Sequence, residues 1–182
     1  MTITTEDLKP ILLTDSSRLS QIYNFRVEVW GEHEKSLIVN RRLFPNGWKD
    51  ELDESAFHWI ITNEEDKLIA AARLNIFNSA EEFPYHCCTR HLSMPVEKPF
   101  ALFSRLVVLP EYRGDGRSFE LAYSRIRFCE ERGIQWMQAY INNERVIRLY
   151  SELGFVHIGE AEINYHKATQ PHSVNVLIKE YS

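Results

Sequence analysis

A short basic turn at residues 113–118, "RGDGRS", has the composition of an anion-binding segment. Gly114 and Gly116 let the backbone approach a phosphate without a Cβ in the way, and Arg113 and Arg117 add positive charge. When such a turn opens a helix, the first N–H groups and the helix dipole favour the same ligand. The predicted diphosphate site comprises Arg113, Gly114, Asp115, Gly116, Arg117, Ser118 and Phe119.

A helix is predicted directly after this turn. The apolar residues Phe119, Ala122, Ile126 and Cys129 recur at helical spacing, which predicts a helix over residues 118–132 with this face buried. The turn does not match other phosphate motifs. The sequence lacks both the Gly-Lys-Ser/Thr of a nucleotide P-loop and the third glycine of a dinucleotide fingerprint.

An acidic cluster and a histidine offer candidates for proton transfer. Glu51 and Asp53 lie just before an apolar strand pattern, and alternation places His58 on the strand face opposite Phe57 and Trp59. Glu51, Asp53 and His58 are therefore candidates for a general base, directly or through water, or for the lining of an acceptor site. The alternative for the acidic residues is a solvated loop.

The segment "HCCTRH" at residues 86–91 places imidazole and thiol groups close together in the sequence. Adjacent cysteines rarely chelate one zinc ion well, and no second pair of Cys or His follows at finger spacing. We therefore expect no metal cofactor.

Length and composition indicate a globular protein. A chain of 182 residues with 44% hydrophobic and 26% charged residues can form one well-buried domain, which we expect to span residues 1–182. The net charge of −5 argues against a nucleic-acid partner, because such domains usually carry a basic excess. The three cysteines do not suggest a disulfide framework, and neither a signal peptide nor a membrane span is evident. These features predict a cytoplasmic protein without a membrane partner.

Strands and helices alternate along the remaining sequence. Asp15 or Ser16 is predicted to cap a first helix, and prolines exclude a long helix between residues 78 and 99. A short polar connection predicts that "AFHWIIT" and "KLIAAARLNIF" form an antiparallel pair. Further strands are predicted in "ILLT", "FALFSRLVVL", "IQWMQAYI", "GFVHIGEAEI" and "SVNVLIKEY", and a further helix in "NERVIRLYSEL". The fold class is mixed α/β (α+β).

Two segments carry a family resemblance. The strand and turn "SRLVVLPEYRGDGRS" resemble the acyl-coenzyme A-binding core of the GCN5-related N-acetyltransferase (GNAT) superfamily, whose pattern is Arg/Gln-x-x-Gly-x-Gly/Ala. Arg113 and Gly116 fit this pattern, whereas Ser118 stands where the family usually has Gly or Ala. The segment "NERVIRLYSELGF" is similar to the family's later helix and strand, with Asn143 and Tyr150 at matching positions. "WKDELDESAFHWI" and "AARL" are similar to a group of small bacterial members.

The resemblance implies a GNAT fold, in which helices flank a central mixed and mostly antiparallel sheet. It implies an N-acyltransferase that moves acetyl, or another acyl group, from acyl-CoA to a primary amine by direct attack on the thioester. The backbone of Leu106, Val107 and Val108 would bind the pantetheine arm. Tyr150 would protonate the departing thiolate, and Asn143 would be a cofactor or helix-entry contact. The acceptor would be a small-molecule or peptide amine, and the protein a monomer or homodimer.

Two alternatives remain open. "FRVEVW", "DELD", "ARL" and "FSRLVV" resemble signatures of acyl-homoserine lactone synthases, which share the core but take acyl groups from an acyl carrier protein. The acidic residue that those enzymes place shortly before Ser-Arg is replaced by Leu102, and "LYSELGF" belongs to the acetyltransferase pattern. The second alternative is a non-catalytic acyl-CoA-binding domain, against which the presence of Tyr150 argues.

Overall fold

The computed structural model describes residues 9–92, 94, 99–164 and 171–181. The strands are β1 Ile11–Leu12, β2 Phe57–Thr62, β3 Leu68–Phe77, β4 Phe100–Val108, β5 Trp136–Ile141, β6 Val156–Ile163 and β7 His172–Glu180. The α-helices are α1 Leu19–Arg26, α2 His86–Thr89, α3 Arg117–Glu131 and α4 Glu144–Glu152, and a π-helical segment, Val27–His33, continues α1. None of the helices within these ranges is long and apolar enough to cross a membrane.

The strands form a seven-stranded sheet in the order β1-β2-β3-β4-β5-β7-β6. β4 and β5 run parallel, whereas β1 with β2, β5 with β7, and β6 with β7 are antiparallel. The Asn63 N–H donates to the Lys67 carbonyl at 2.9 Å and closes a tight connection between the neighbouring strands β2 and β3. Such a connection requires antiparallel strands, as predicted. The predicted fold class, a mixed and mostly antiparallel sheet flanked by helices, is confirmed.

The chain divides into two compact units. The first contains the residues up to Arg73 together with Arg105–Ser124, and the second contains Leu74–Ser104 together with the residues from Arg125 onward. The first unit buries apolar residues of α1, the π-helical segment and β2, among them Ile22, Phe25, Val27, Val29, Ile60 and Ile61. The second has a cluster on β6 and β7, which comprises Ala161, Ile163, Val174 and Val176. The single domain over residues 1–182 stays a prediction.

The first helix begins later than the sequence predicts. Its first residue is Leu19 and its N-cap is Arg18, without a side-chain cap hydrogen bond. The prediction that Asp15 or Ser16 caps this helix is therefore wrong. The carboxylate of Asp15 instead accepts a hydrogen bond of 2.7 Å from the Ser17 N–H, so it stabilises the turn before the helix, which is a common alternative use of an aspartate.

α3 lies where the hydrophobic spacing predicted it, apart from its first apolar residue. Ala122 and Cys129 are fully buried, and Gly133, at φ +66°, follows the helix end. The predicted burial of Phe119 is wrong, because its exposed fraction is 42%. Phe119 lies in the first turn of the helix and stacks on Tyr123, one turn later, with 5.8 Å between the ring centres. Tyr123 is equally exposed, so the pair packs on itself at the surface.

Candidate active site

The predicted anion-binding turn is an open loop at the start of α3. Gly114 and Gly116 have φ values of +92° and +79°, a conformation that glycine adopts without steric cost. Apart from the chain neighbours, a Cβ atom added at either glycine would meet no heavy atom of the described residues within 4 Å. The first helical hydrogen bond runs from the Glu120 N–H to the Gly116 carbonyl at 3.0 Å, so the N–H groups of residues 117–119 precede the intrahelical pattern. The geometry is that of a helix terminus able to receive an anion.

The two arginines of the turn lie in different environments. Arg113 is half-exposed, and its guanidinium donates to the Val108 carbonyl at 3.1 Å and to the Glu34 carboxylate at 2.5 Å. Arg117, the first residue of α3, is buried, with an exposed fraction of 6%. Arg113 is therefore the cation presented at the surface of the turn, while Arg117 contributes its backbone N–H to the helix start. Asp115 is exposed.

The strand before the turn contains the predicted pantetheine contacts. Val107 and Val108 are buried and Leu106 is partly exposed. Arg105, just before them, has φ +53°, a left-handed conformation that is rare for a residue with a side chain and interrupts the regular strand geometry. The recorded pairs between β4 and β5 run from Phe100↔Trp136 to Phe103↔Ala139. Leu106, Val107 and Val108 thus follow the part of β4 that pairs with β5.

Tyr150 lies in the second unit, on α4. Asn143 caps this helix, and its side-chain oxygen accepts hydrogen bonds from the N–H groups of Arg145 and Val146 at 3.0 and 3.3 Å. Of the two roles predicted for Asn143, the structure therefore shows the helix-entry contact. The predicted helix and its tyrosine were located from the sequence within one or two residues.

The phenol of Tyr150 is buried, with an exposed fraction of 2%. Its ring packs against Phe155 at 4.9 Å and Phe103 at 6.0 Å between ring centres, and Arg125 Nη2 donates to its oxygen at 2.8 Å. Burial raises the pKa of this phenol, and the charge and hydrogen bond of Arg125 oppose that rise. Tyr150 is therefore protonated at neutral pH and has a proton to donate.

The three candidates for a general base differ in environment. Glu51 is exposed in a one-turn 3-10 helix, Glu51–Asp53, whereas Asp53 and His58 are buried. Burial alone would raise the pKa of the Asp53 carboxyl, but hydrogen bonds and charge from Arg26, with the charge of Arg73, hold it well below its usual range. Burial and the charge of Arg26 lower the pKa of His58 to about 4. Both groups are thus weak proton acceptors, and Glu51 is the candidate that solvent reaches.

Asp53 belongs to a buried ion-pair network in the first unit. Arg26 binds both carboxylate oxygens of Asp53 at 2.9 Å, and Arg73 Nη1 lies 2.9 Å from Asp53 Oδ1. Arg73 and Arg105 also bind the two oxygens of Asp50, and the Arg105 guanidinium lies 3.9 Å from the ring centre of Trp48. Sequence reasoning did not assign a role to this network. A signal was present, because its charged residues lie in "FRVEVW", "DELD", "ARL" and "FSRLVV".

The second unit contains a cavity of about 100 Å³ that sequence reasoning did not anticipate. Its lining combines apolar and polar side chains from β4, β5, α2 and the segments beside α2, among them Phe83, Phe100, Leu92, His86 and Gln138. The side chains of "HCCTRH" do not converge on one point. His86 faces this cavity, His91 Nε2 lies 2.8 Å from the Glu160 carbonyl, and the Sγ atoms of Cys87 and Cys88 are 3.7 Å apart. Within the described part of the chain, no group of three or more Asp, Glu, His or Cys side chains could hold a metal ion.

Comparisons with known proteins agree with this architecture. The model of the acetyltransferase (GNAT) family matches residues 19–155, whereas no curated protein gives a significant match. An acetyltransferase of the GNAT family from Staphylococcus aureus Mu50 has 12% identity and a TM-score of 0.62, covering 94% of this chain and 98% of that one.

Two further structures were determined with ligands. Arabidopsis thaliana NAA60 in complex with acetyl-CoA has 14% identity and a TM-score of 0.60, covering 95% of this chain and 100% of that one. The CoA-dependent acyl-homoserine lactone synthase BjaI, with SAM and isopentyl-CoA, has 15% identity and a TM-score of 0.67, covering 93% and 83%. These three likenesses are likenesses of fold. The family match extends from the first residue of α1 to the residue before β6 and so covers most of the chain. The protein therefore belongs to the GNAT acetyltransferase family.

Proposed function

We propose that the protein is an acyl-CoA-dependent N-acyltransferase that transfers an acetyl group from acetyl-CoA to a primary amine. The observation that carries the proposal is the open turn at Gly114 and Gly116, where two left-handed glycines precede a 15-residue helix. Among the described residues, the space beside both glycines is open and leaves room for the oxygens of a diphosphate. The helix terminus supplies N–H donors. CoA carries a diphosphate, and membership of the family supports acyl-CoA as its source.

The pantetheine arm would bind along β4 in the manner of an added strand. Leu106, Val107 and Val108 follow the last recorded pair with β5 and lead directly to the turn. Backbone recognition of this kind depends on the shape of the strand more than on its side chains. It fits a segment whose side chains serve mainly as core, as the burial of Val107 and Val108 indicates.

Chemistry would then follow by direct attack. The neutral amine forms a bond to the thioester carbon, the carbon–sulfur bond breaks, and the sulfur takes a proton from the Tyr150 hydroxyl. The nitrogen loses its extra proton to solvent, and the phenolate recovers one from solvent. The protonated state of Tyr150, which burial favours, supports this role. Of the three base candidates, Glu51 is the one that solvent reaches, and it would relay the proton of the amine to solvent.

A first experiment measures the melting temperature with acetyl-CoA, longer acyl-CoAs, free CoA and NAD. A ligand that binds the folded state raises the melting temperature, so acyl-CoA should raise it and NAD should not. Mass spectrometry then tests transfer from acetyl-CoA to ethanolamine, lysine, spermidine and a peptide with a free α-amine. Binding without transfer to any amine would favour a non-catalytic acyl-CoA-binding domain, and no binding of any CoA species would overturn the proposal.

A second candidate function concerns the acceptor. The four segments that resemble acyl-homoserine lactone synthases supply Arg26, Asp50, Asp53, Arg73 and Arg105, which the structure brings into one buried network. BjaI, which shares the fold, is described as CoA-dependent and was determined with SAM and isopentyl-CoA, so a synthase of this kind can use an acyl-CoA in place of an acyl carrier protein. This candidate predicts that SAM raises the melting temperature and is acylated. An unchanged melting temperature with SAM would leave the simple amine acceptor.

A further inference from the structure

We propose that Arg125 is a positioning residue for the transfer reaction: it holds the phenol of Tyr150 so that the phenol's own proton is directed to the departing thiolate. The inference rests on the proposed acyl transfer. It concerns a residue of α3 that neither the turn nor the family pattern includes.

The Arg125 side chain is fully buried and is held by contacts with β4 and α4. Its Nη2 donates to the Tyr150 oxygen at 2.8 Å, and its Nη1 lies 3.5 Å from the Ser104 carbonyl. Its guanidinium carbon lies 4.8 Å from the centre of the Phe103 ring, a distance at which a cation and an aromatic face attract each other. Ser104 follows the last residue of β4 that pairs with β5, so Arg125 connects Tyr150 to the point where that pairing ends.

The hydrogen-bonding chemistry of the two groups gives the contact a direction. A guanidinium has only donors, whereas a phenol has one donor and acceptor lone pairs. In the contact between them, Arg125 must donate and the Tyr150 oxygen must accept. The O–H of Tyr150 therefore cannot point at Arg125 and is available for another acceptor. In the proposed reaction that acceptor is the sulfur of CoA.

Electrostatics support the same role. Proton donation leaves a phenolate among aromatic rings, where a negative charge is poorly solvated. Arg125 is the charged group that acts on the phenol, and it lowers the pKa of Tyr150 against the effect of burial. Arg125 also acts on the Cys129 thiol, one turn along α3. Burial raises the pKa of this thiol to about 12, so it stays neutral.

The test compares Arg125→Met and Arg125→Lys with the matched control Arg127→Met, each in the full chain. Arg127 lies on the same helix, is 55% exposed and pairs with Glu131. The kinetic readout is kcat and KM for acetyl-CoA with an amine that the wild type acylates, repeated in a Tyr150→Phe background. The second readout is the 19F resonance of 3-fluorotyrosine placed at residue 150, whose pH titration reports the phenol without any need for turnover.

We expect Arg125→Met to lower kcat roughly ten- to a hundredfold, with KM for acetyl-CoA within about twofold of wild type. Arg125→Lys, which keeps the charge without the planar fork, should recover part of the loss. In the Tyr150→Phe background the further loss should vanish, since the residues act as a unit. The fluorophenol pKa should rise in Arg125→Met and stay unchanged in Arg127→Met.

Other results would overturn the inference. An equal further loss of kcat in the Tyr150→Phe background would mean that Arg125 acts independently of the phenol. An unchanged fluorophenol pKa in both Arg125 variants would mean that no electrostatic contact exists. If Arg125→Met does not fold, Arg125→Gln, which removes the charge and keeps a hydrogen-bond donor, decides both points. Failure of the wild type to acylate any amine would instead overturn the proposed function, and the titration alone would still show whether Arg125 acts on Tyr150.

Discussion

Asp53 in the first unit and Tyr150 in the second are both buried ionisable residues, yet their surroundings favour opposite protonation states. Burial penalises the charged form of each. Two arginines bind the Asp53 carboxylate and more than offset that penalty, whereas Tyr150 lies among aromatic rings with the one guanidinium of Arg125 at its oxygen. The pKa of Asp53 is consequently lowered and that of Tyr150 is raised.

The difference shows that burial sets the size of the electrostatic penalty and that the neighbouring donors decide the charge. A carboxylate that two cations hold permanently charged contributes structure. A phenol that stays neutral, with its oxygen fixed by a donor, keeps a proton to give away. The first unit therefore contains a buried ion network that stays charged, and the second contains the candidate proton donor.

Removal of the Asp53 charge should have the largest effect on stability. Asp53→Asn leaves Arg26 and Arg73 buried without their shared carboxylate, and we expect the free energy of unfolding to fall by about 3–5 kcal/mol. Urea denaturation measures the loss. The control is Asp66→Asn, which removes a surface ion pair with Arg18 in which Asp66 is 77% exposed, and should cost less than about 1 kcal/mol. Equal costs for the two variants would show that the buried network does not stabilise the fold.

The pH dependence of stability tests the environment of His58. Its folded pKa of about 4 lies below the ordinary value of 6.5, so the unfolded chain binds a proton more readily than the folded chain in this interval. The stabilisation is present above pH 6.5 and is lost as the pH falls to about 4, by about 3 kcal/mol in total. His58→Gln should lose less over the same interval. An equal loss in His58→Gln and the wild type would show that another group causes the pH dependence.

The Tyr150→Phe variant tests the proton donor of the second unit. The phenyl ring keeps the packing with Phe103 and Phe155, so the protein should remain folded and the melting temperature should still rise with acetyl-CoA. The loss of the proton donor should lower kcat about a hundredfold or more. Turnover at the wild-type rate across the pH range would contradict the role of Tyr150 as general acid.

A matched pair of glycine variants isolates the anion site. Gly116→Ala and Gly133→Ala each place a Cβ on a residue with positive φ in open space, and each should cost roughly 1 kcal/mol of stability. Only Gly116→Ala alters the turn, so only this variant should weaken acetyl-CoA binding, by about tenfold in calorimetric titration. If both variants bind acetyl-CoA with the affinity of the wild type, the turn joins β4 to α3 without binding the cofactor.

The fold and the turn were predictable because their signals are local. Hydrophobic spacing placed α3 and α4 within one or two residues, and glycines before a helix marked the open turn. Asp15 illustrates a limit of local reasoning, since one carboxylate can cap a helix or bind the N–H two residues on, and composition does not choose between these uses.

The contacts that give the candidate site its electrostatics were not predictable. Arg125 and Tyr150 are separated by 25 positions, and Asp50 and Arg105 by 55. No periodicity connects residues so far apart, and an arginine within an amphipathic helix reads as a solvated side chain until the fold buries it. In the sequence, the residues of the buried network lie in four separate short segments. The resemblance to acyl-homoserine lactone synthases was the one signal that linked these segments.

The adjacent cysteines of α2 determine how turnover can be measured. A coloured thiol reagent counts every reactive sulfur in the sample, and Cys87 is exposed while Cys88 is partly exposed. Cys129 is buried and holds its proton, so it adds little to such a signal. A Cys87→Ser background, or detection of the acylated amine itself, would separate the product CoA from the protein's own thiols.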